Sequence, residues 1–308
     1  GWQTIPGPNP GDPPTYDYVR ANNDYDDVLP SFNLALEPRE DLVVRLGAAK
    51  VMSRPSLGDL TPGGSVAPTT RTVRYGNPLL DPFRATNYDL AVEWYFQNEG
   101  LLAAAVFYKD IDSFITTTTD PVVWSELGLP DELLQGAARP TDVFQVTRSL
   151  NGEGGTLHGL EIQYQQPFTF LPGFWENFGF IGNVTFVDSE VDYGPGRGKN
   201  RLTGQSKNTV NTTLYYEEGP FQARVSAAYR SQYLMSFPSS NGNSEEGMND
   251  TTYLDASMSY DITDSLTFSL EGINLTDEYN DRYVDETNRI SDYRHTGREI
   301  AVGLRWKY

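Results

Sequence analysis

Few side chains in this sequence are spaced for bond-making chemistry. Glu161 and Glu271 each fall on the polar side of an alternating segment and could pair as general acid and base, although such carboxylates equally keep a water-filled interior wet. No Ser-His-Asp grouping and no phosphate-cradling glycine loop stands out. Cysteine is absent and the histidines are His158 and His295 alone, which removes thiolate sites and argues against a multi-His metal centre. Each histidine borders a strand and reads as structural. Asp24, Asp26 and Asp27 carry the charge for Ca²⁺, but their spacing lacks an EF-hand loop, and a solvated acidic loop is the simpler reading. The sequence therefore predicts no catalytic residue, no metal and no cofactor.

Binding is the chemistry the residues suit better. Trp124, Tyr193, Tyr233, Tyr283 and Tyr293 lie in the connections between alternating segments and offer flat faces to sugar rings or aromatic ligands. Asn241, Asn243, Asp285 and Arg294 offer polar partners beside them. The structural alternative is that these aromatics form an interfacial girdle or hold loops together.

The elements that must position these groups are strands. Across 308 residues, segments with apolar groups at every second position recur, the period of a two-faced strand. They fall at residues 30–37, 42–49, 88–96, 101 to about 115, 160–165, 178–186, 210–216, 221–230, 254–260, 266–271 and 297–308, about eleven strands in all. In the last, Ile300, Val302, Leu304, Trp306 and Tyr308 oppose Ala301, Gly303, Arg305 and Lys307. The run from Leu101 is apolar on both sides, so its lipid-facing side is not decided by pattern. Short turns at residues 38–41, 97–100, 167–177, 217–219 and 263–265 alternate with long connections at 53–85, 116–156, 192–205, 232–249 and 278–295. An L-x-x-L-L pattern within residues 127–134 suggests a short helix.

Loops sorted by length onto two ends, with apolar residues on one strand face and Gly, Arg, Lys and Ser on the other, predict an all-β transmembrane antiparallel barrel. A blade repeat that would signal a propeller is missing. No run reaches the ~18 to 20 apolar residues of a membrane-crossing helix, while a mean hydropathy of -0.49 is compatible with strands whose alternate residues face water. The net charge of -19 argues against nucleic acid as a partner, since phosphate contacts need clustered Lys and Arg. The polar, Pro-rich opening lacks a signal-peptide pattern and reads as an internal or processed start.

Gly76-Asn77-Pro78-Leu79-Leu80-Asp81-Pro82, followed by Asn87-Tyr88-Asp89-Leu90 and Glu93-Trp94-Tyr95, resembles the TonB-dependent outer-membrane receptors. The likeness continues through Ser53-Arg54-Pro55, Phe107-Tyr108-Lys109-Asp110-Ile111, Gly159-Leu160-Glu161, Gly204-Gln205-Ser206-Lys207 and Asn274-Leu275-Thr276-Asp277-Glu278-Tyr279. It is closest to the group common in Caulobacter- and Xanthomonas-like bacteria, many of which are thought to import carbohydrates. The resemblance implies active import of a scarce solute, an oligosaccharide or other organic nutrient, through a barrel of about 22 strands closed around an N-terminal plug. A siderophore-iron receptor is the alternative within that family. A passive porin, a surface-binding protein and a glycoside hydrolase are the alternatives outside it.

No plug is visible, and about eleven strands would make half of such a barrel. Residues 1–308 are therefore expected to be the C-terminal half of a receptor, completed by a plug-bearing N-terminal half. The further partners implied are the TonB complex acting through the plug, outer-membrane lipid and lipopolysaccharide, and a small-molecule substrate. Long loops would be extracellular and the C-terminus periplasmic.

Overall fold

A computed structural model describes residues 2–5, 15–18, 21–61, 63–96, 99–194, 196–239 and 243–307. Eleven strands form one antiparallel sheet in chain order: β1 (Ser31–Arg39), β2 (Leu42–Ser53), β3 (Phe83–Phe96), β4 (Gly100–Val123), β5 (Gly154–Pro167), β6 (Phe178–Asp192), β7 (Asn208–Glu218), β8 (Phe221–Arg230), β9 (Thr251–Thr263), β10 (Leu266–Ile273) and β11 (Glu299–Trp306). Each predicted alternating segment is one of these strands. Tyr308, the aromatic end of the last segment, lies outside the described residues.

Register turns the alternation of each strand into continuous rows across the sheet. Leu36, Val44, Val92, Ala104, Ile162, Val184 and Val210 stand side by side from β1 to β7. Leu214, Val225, Ala256, Gly272 and Ile300 continue the apolar face from β7 to β11. The neighbouring rows on the opposite face are polar, as in Gln163, Asn183 and Asn211, or Tyr215, Arg224, Ser257 and Glu271. The same register sorts the run from Leu101. Leu102, Ala104 and Val106 join the apolar face, and Ala103 and Ala105 the polar one.

Among the described residues nothing covers the apolar face. Ile300, Val302, Leu304 and Trp306 are 68–74% exposed, an arrangement that water penalises and hydrocarbon favours. The buried side chains gather instead at the loop-side ends of the wall strands and among the long connections. One cluster holds Ala85, Ile111, Phe114, Leu157, Val191 and Tyr193, and another Val73, Trp124, Leu134, Phe144 and Val146.

Those connections carry more structure than their sequence suggests. β4 runs on to Val123, past the expected end near residue 115, because the β-branched run Ile115-Thr116-Thr117-Thr118-Thr119 pairs with a strand at Val143–Gly152, as such residues favour. The expected short helix takes the form of two 3-10 turns, Trp124–Glu126 and Asp131–Leu134, at the tip of that hairpin. Residues 54–82, expected as an open loop, contain strands Gly64–Ala67 and Thr72–Tyr75, and the latter adds in parallel to Val143–Gly152. The connections after β8 and β10 combine into one four-stranded sheet of Tyr233–Ser236, Glu246–Met248, Asn280–Val284 and Arg289–Arg294. Trp2–Ile5 and Thr15–Tyr18 form a separate antiparallel pair.

The motif segments staple these loops to one another. Asn77 donates from its side chain to the Ser149 carbonyl (3.2 Å), and Ser149 Oγ donates to Asp59 Oδ1 (3.1 Å). Asp81 and Asn151 exchange two hydrogen bonds, at 3.0 and 2.9 Å. At Gly159 a side chain is sterically barred, since a Cβ there would stand 2.3 Å from the Phe186 carbonyl and 2.5 Å from the Phe107 ring.

Candidate functional site

The structure divides the candidate binding residues into two groups. Trp124, Tyr193 and Tyr283 are fully buried. The Trp124 ring lies 4.8 Å from Phe144 and donates its indole N–H to Asp131 (2.9 Å). Tyr193 is held edge-on by Phe114 and Phe237, at 5.3 and 5.0 Å, and donates its hydroxyl to the Arg201 carbonyl (2.8 Å). Tyr283 lies flat on Gly247, where an added Cβ would come within 2.3 Å of the ring. These three side chains spend their faces on loop packing, which is the structural alternative stated for them.

Asp285 and Arg294 also hold neighbouring backbone and side chains. Asp285 pairs with Arg289 and accepts from the Ser244 amide (3.3 Å). The guanidinium holds its carboxyl below the ordinary carboxylate range. Arg294 donates to Asp292 (3.0 Å). Tyr293 is exposed, and with Tyr279 (5.2 Å) and His295 (6.3 Å) it forms a surface aromatic group. His295 in turn pairs with Asp277 (3.0 Å). Asn243 is half-buried, and Asn241 lies outside the described residues.

Tyr233 is the candidate that opens onto a cavity. About 510 Å³ of space lies between the loop sheet and the end of the polar face over β7, β8 and β9. Its floor is two cross-strand rows, Thr209, Arg230 and Thr251, then Asn211, Ala228 and Tyr253. Tyr233, Met248 and Asn280 close it from the loop side. Arg230 is the central charge. Its Nε donates to Ser206 Oγ (2.7 Å), one Nη donates to the Gly204 carbonyl (2.8 Å), and the guanidinium lies 3.8 Å from the Tyr233 ring centroid. Asn280 donates to the Tyr253 hydroxyl at 2.7 Å.

Among the described residues Arg230 has no carboxylate partner, so its charge is balanced only by neutral acceptors and a ring face. The arrangement suits a ligand with hydroxyls and a planar or anionic group. Sequence reasoning singled out Tyr233 but missed Arg230, Asn211, Tyr253 and Asn280. Arg230 read there only as the polar side of a strand. The available signal was the last charged residue of β8 three positions before a loop tyrosine.

Paired-carboxylate chemistry does not fit the sheet. Glu161 on β5 and Glu271 on β10 have four strands between them, about 24 Å of sheet at ~4.8 Å per strand, whereas glycoside hydrolysis needs carboxyls within roughly 9.5 Å. Glu161 instead accepts from Asn183 (2.6 Å). Asp27 is engaged by Arg84 through two hydrogen bonds, at 2.7 and 3.2 Å. No group of three potential metal ligands occurs among the described residues.

A family model described as TonB dependent receptor-like, beta-barrel matches residues 7–275. Comparison with curated proteins finds no match. Among solved structures, a mutant of the ferric enterobactin receptor PfeA of Pseudomonas aeruginosa superposes with a TM-score of 0.62 at 15% identity, over 91% of this chain and 40% of that one. The siderophore receptor PirA of Acinetobacter baumannii superposes with a TM-score of 0.61 at 16% identity, over 91% of this chain and 41% of its own. At this identity the likeness is one of fold, and the chain spans about two fifths of the length of these structures.

Proposed function

Because the chain belongs to the TonB-dependent receptor-like β-barrel family, we propose that it forms part of the wall of an outer-membrane active transporter importing a scarce organic solute. The observation that carries this reading is the two-faced sheet of eleven strands, apolar on one side and polar on the other, with the Arg230 cavity at its loop end. The apolar face meets lipid, including lipopolysaccharide on the loop side, and the polar face lines a wet lumen. Long loops lie outside the cell and the turn-side end faces the periplasm. A preceding plug-bearing segment of the same receptor completes the barrel, and the TonB complex pulls on that plug.

For substrate we propose an oligosaccharide, stacked on Tyr233 and hydrogen-bonded by Asn211, Tyr253 and Asn280. Tyr293 and Arg294 on the exposed loop surface are placed to make first contact. A ferric siderophore is the second reading. It is favoured by the unneutralised charge of Arg230 and by the ligands named for the structural neighbours.

Uptake of radiolabelled oligosaccharide and of ferric siderophore by cells expressing the full receptor tests both readings. Import is expected to stop on uncoupling or on loss of TonB. Import that continues after both treatments would indicate a passive porin instead. Arg230→Gln should weaken binding of an anionic siderophore about tenfold or more, the scale of one charge-assisted hydrogen bond. A neutral oligosaccharide should lose less than that.

A further inference from the structure

Arg230 is a half-buried cation fixed before any ligand arrives. Its Nε donates to Ser206 Oγ (2.7 Å), Nη2 donates to the Gly204 carbonyl (2.8 Å), and the Tyr233 ring covers one guanidinium face with its centroid 3.8 Å away. Both hydrogen bonds are spent along the Nε–Nη2 edge of the group. The other edge, Nη1 with the second hydrogen of Nη2, has no partner among the described residues. It is a flat two-donor fork, the shape that takes a carboxylate through two parallel hydrogen bonds.

The rest of the cavity is furnished for hydroxyls rather than for further charge. Among the described residues the side chains of Thr209, Asn211 and Thr251, which line it, make no hydrogen bond of their own. The Tyr253 hydroxyl accepts from Asn280 (2.7 Å), which leaves its O–H free to donate. No carboxylate and no second cation stands among the lining residues. Arg224, the next cation along this face of β8, is about 20 Å away at ~3.3 Å per residue. Arg282, across from Met248, is already flanked by Glu246 and Asp292, at 3.9 and 3.8 Å. One positive charge among neutral donors and acceptors matches one negative charge on a polyhydroxylated ligand. A phosphate monoester, or a ferric complex of several negative charges, would find a single cation here.

We propose that the cavity receives a hexuronate unit, its carboxylate on the free edge of Arg230 and its hydroxyls on Asn211, Thr251 and Tyr253, so that the solute is an acidic oligosaccharide. This rests on the reading that the cavity binds the imported oligosaccharide. The acid group accounts for the unneutralised charge, and the hydroxyls account for the unpartnered amide and hydroxyl groups around it. Because Ser206, Gly204 and Tyr233 hold the guanidinium in place, little side-chain freedom is left to lose when the carboxylate docks.

Titration calorimetry on the full-length receptor in detergent can compare three probes: an aldobiouronic acid (a hexuronate joined to a neutral hexose), its methyl ester, and the neutral disaccharide made by reducing its carboxyl group. The acid is expected to bind about tenfold or more tightly than either uncharged probe, the scale of a charge-assisted pair. Arg230→Gln should bring the three affinities within about twofold of one another, while the boiling-sensitive electrophoretic band of the barrel persists. Arg230→Lys keeps the charge but loses the fork, so it should show a smaller preference for the acid; it takes over the test where the Gln variant does not fold. Equal binding of acid and ester by the parent receptor, or a preference undiminished in both variants, would overturn the proposal. TonB-dependent import of the neutral sugar would then leave the oligosaccharide reading standing. If no sugar binds while a ferric siderophore does, the oligosaccharide reading fails as well.

Discussion

Asn274 concentrates several functions in one side chain. It is buried, its backbone is left-handed at φ 54°, and it follows directly on β10. Its amide donates to the carbonyls of Glu278 (2.8 Å) and Gly297 (3.1 Å), its oxygen accepts from the Glu278 amide (2.7 Å), and its own N–H donates to Asp255 (2.8 Å). The Asn-Leu-Thr-Asp segment is thus the clamp that sends the chain out of β10 and receives it back before β11. Asn274→Ala should destabilise the folded protein by about 2 kcal/mol or more, since each buried group left unpaired costs about 1–3 kcal/mol. A thermal unfolding midpoint in detergent that stays at the parent value would contradict this account. Asp285 gives a pH prediction at the same scale. Arg289 foremost, and the Ser244 amide, hold its carboxyl below the ordinary range. A depressed carboxylate pKa stabilises fully above the unfolded value of about 3.9 and loses that contribution as pH falls through the folded value. Hydrogen-exchange protection around residues 244–289 should accordingly be flat from neutral pH to about 5 and fall below about 4. Asp285→Asn should lower it at neutral pH and bring it to the parent's own value at the acid end, where the parent has already lost the contribution.

At the scale of elements, the loop hairpin formed by the outer part of β4 and Val143–Gly152 is stabilised by its own small core of Val73, Trp124, Leu134, Phe144 and Val146. Trp124→Ala should cost about 3–5 kcal/mol, the range for an aromatic removed from a packed core. The loss should be local, because the cluster shares no member with the wall rows. Limited proteolysis is expected to open residues 116–152 while the compact, boiling-sensitive electrophoretic band of the barrel persists. Cleavage of wall and hairpin together would show that they fold as one unit. This separation also explains what was legible in the sequence. The wall strands repeat with period two over eight or more residues, and one face of each meets a single environment, so alternation reports them. Loop strands such as Gly64–Ala67 and Glu246–Met248 span only four and three residues, too few to show a period, and Glu246–Met248 pairs with Asn280–Val284 of a different loop. Trp124, Tyr193 and Tyr283 were visible as aromatics, but their burial depends on Phe144, Phe114 and Gly247, partners that no local pattern identifies. Arg230 escaped notice for the converse reason, since its setting is made by residues 204, 206 and 233 of separate loops.

For the whole molecule, the decisive feature is that the sheet has two free edges. Among the described residues β1 pairs only with β2, and β11 only with β10. Each edge carries backbone N–H and C=O groups that water can satisfy and hydrocarbon cannot, and an unpaired group in lipid costs several kcal/mol. With strands of eight and nine residues at the edges, roughly half of the backbone groups on each would be left open. The resulting penalty would be on the order of tens of kcal/mol, more than any domain's net stability. The wall is consequently a membrane structure only when the open edges of β1 and β11 are both paired. Residues 1–308 produced alone should therefore fail to insert as a heat-modifiable monomer in phospholipid vesicles, and should associate edge to edge or remain aggregated. Supplying the plug-bearing remainder proposed above, in one chain or as a second polypeptide, should restore a compact band that shifts on boiling. A stable, boiling-sensitive monomer from residues 1–308 alone would mean that β1 and β11 pair with each other, closing a small barrel of eleven strands and leaving the Arg230 cavity at the mouth of a much narrower pore.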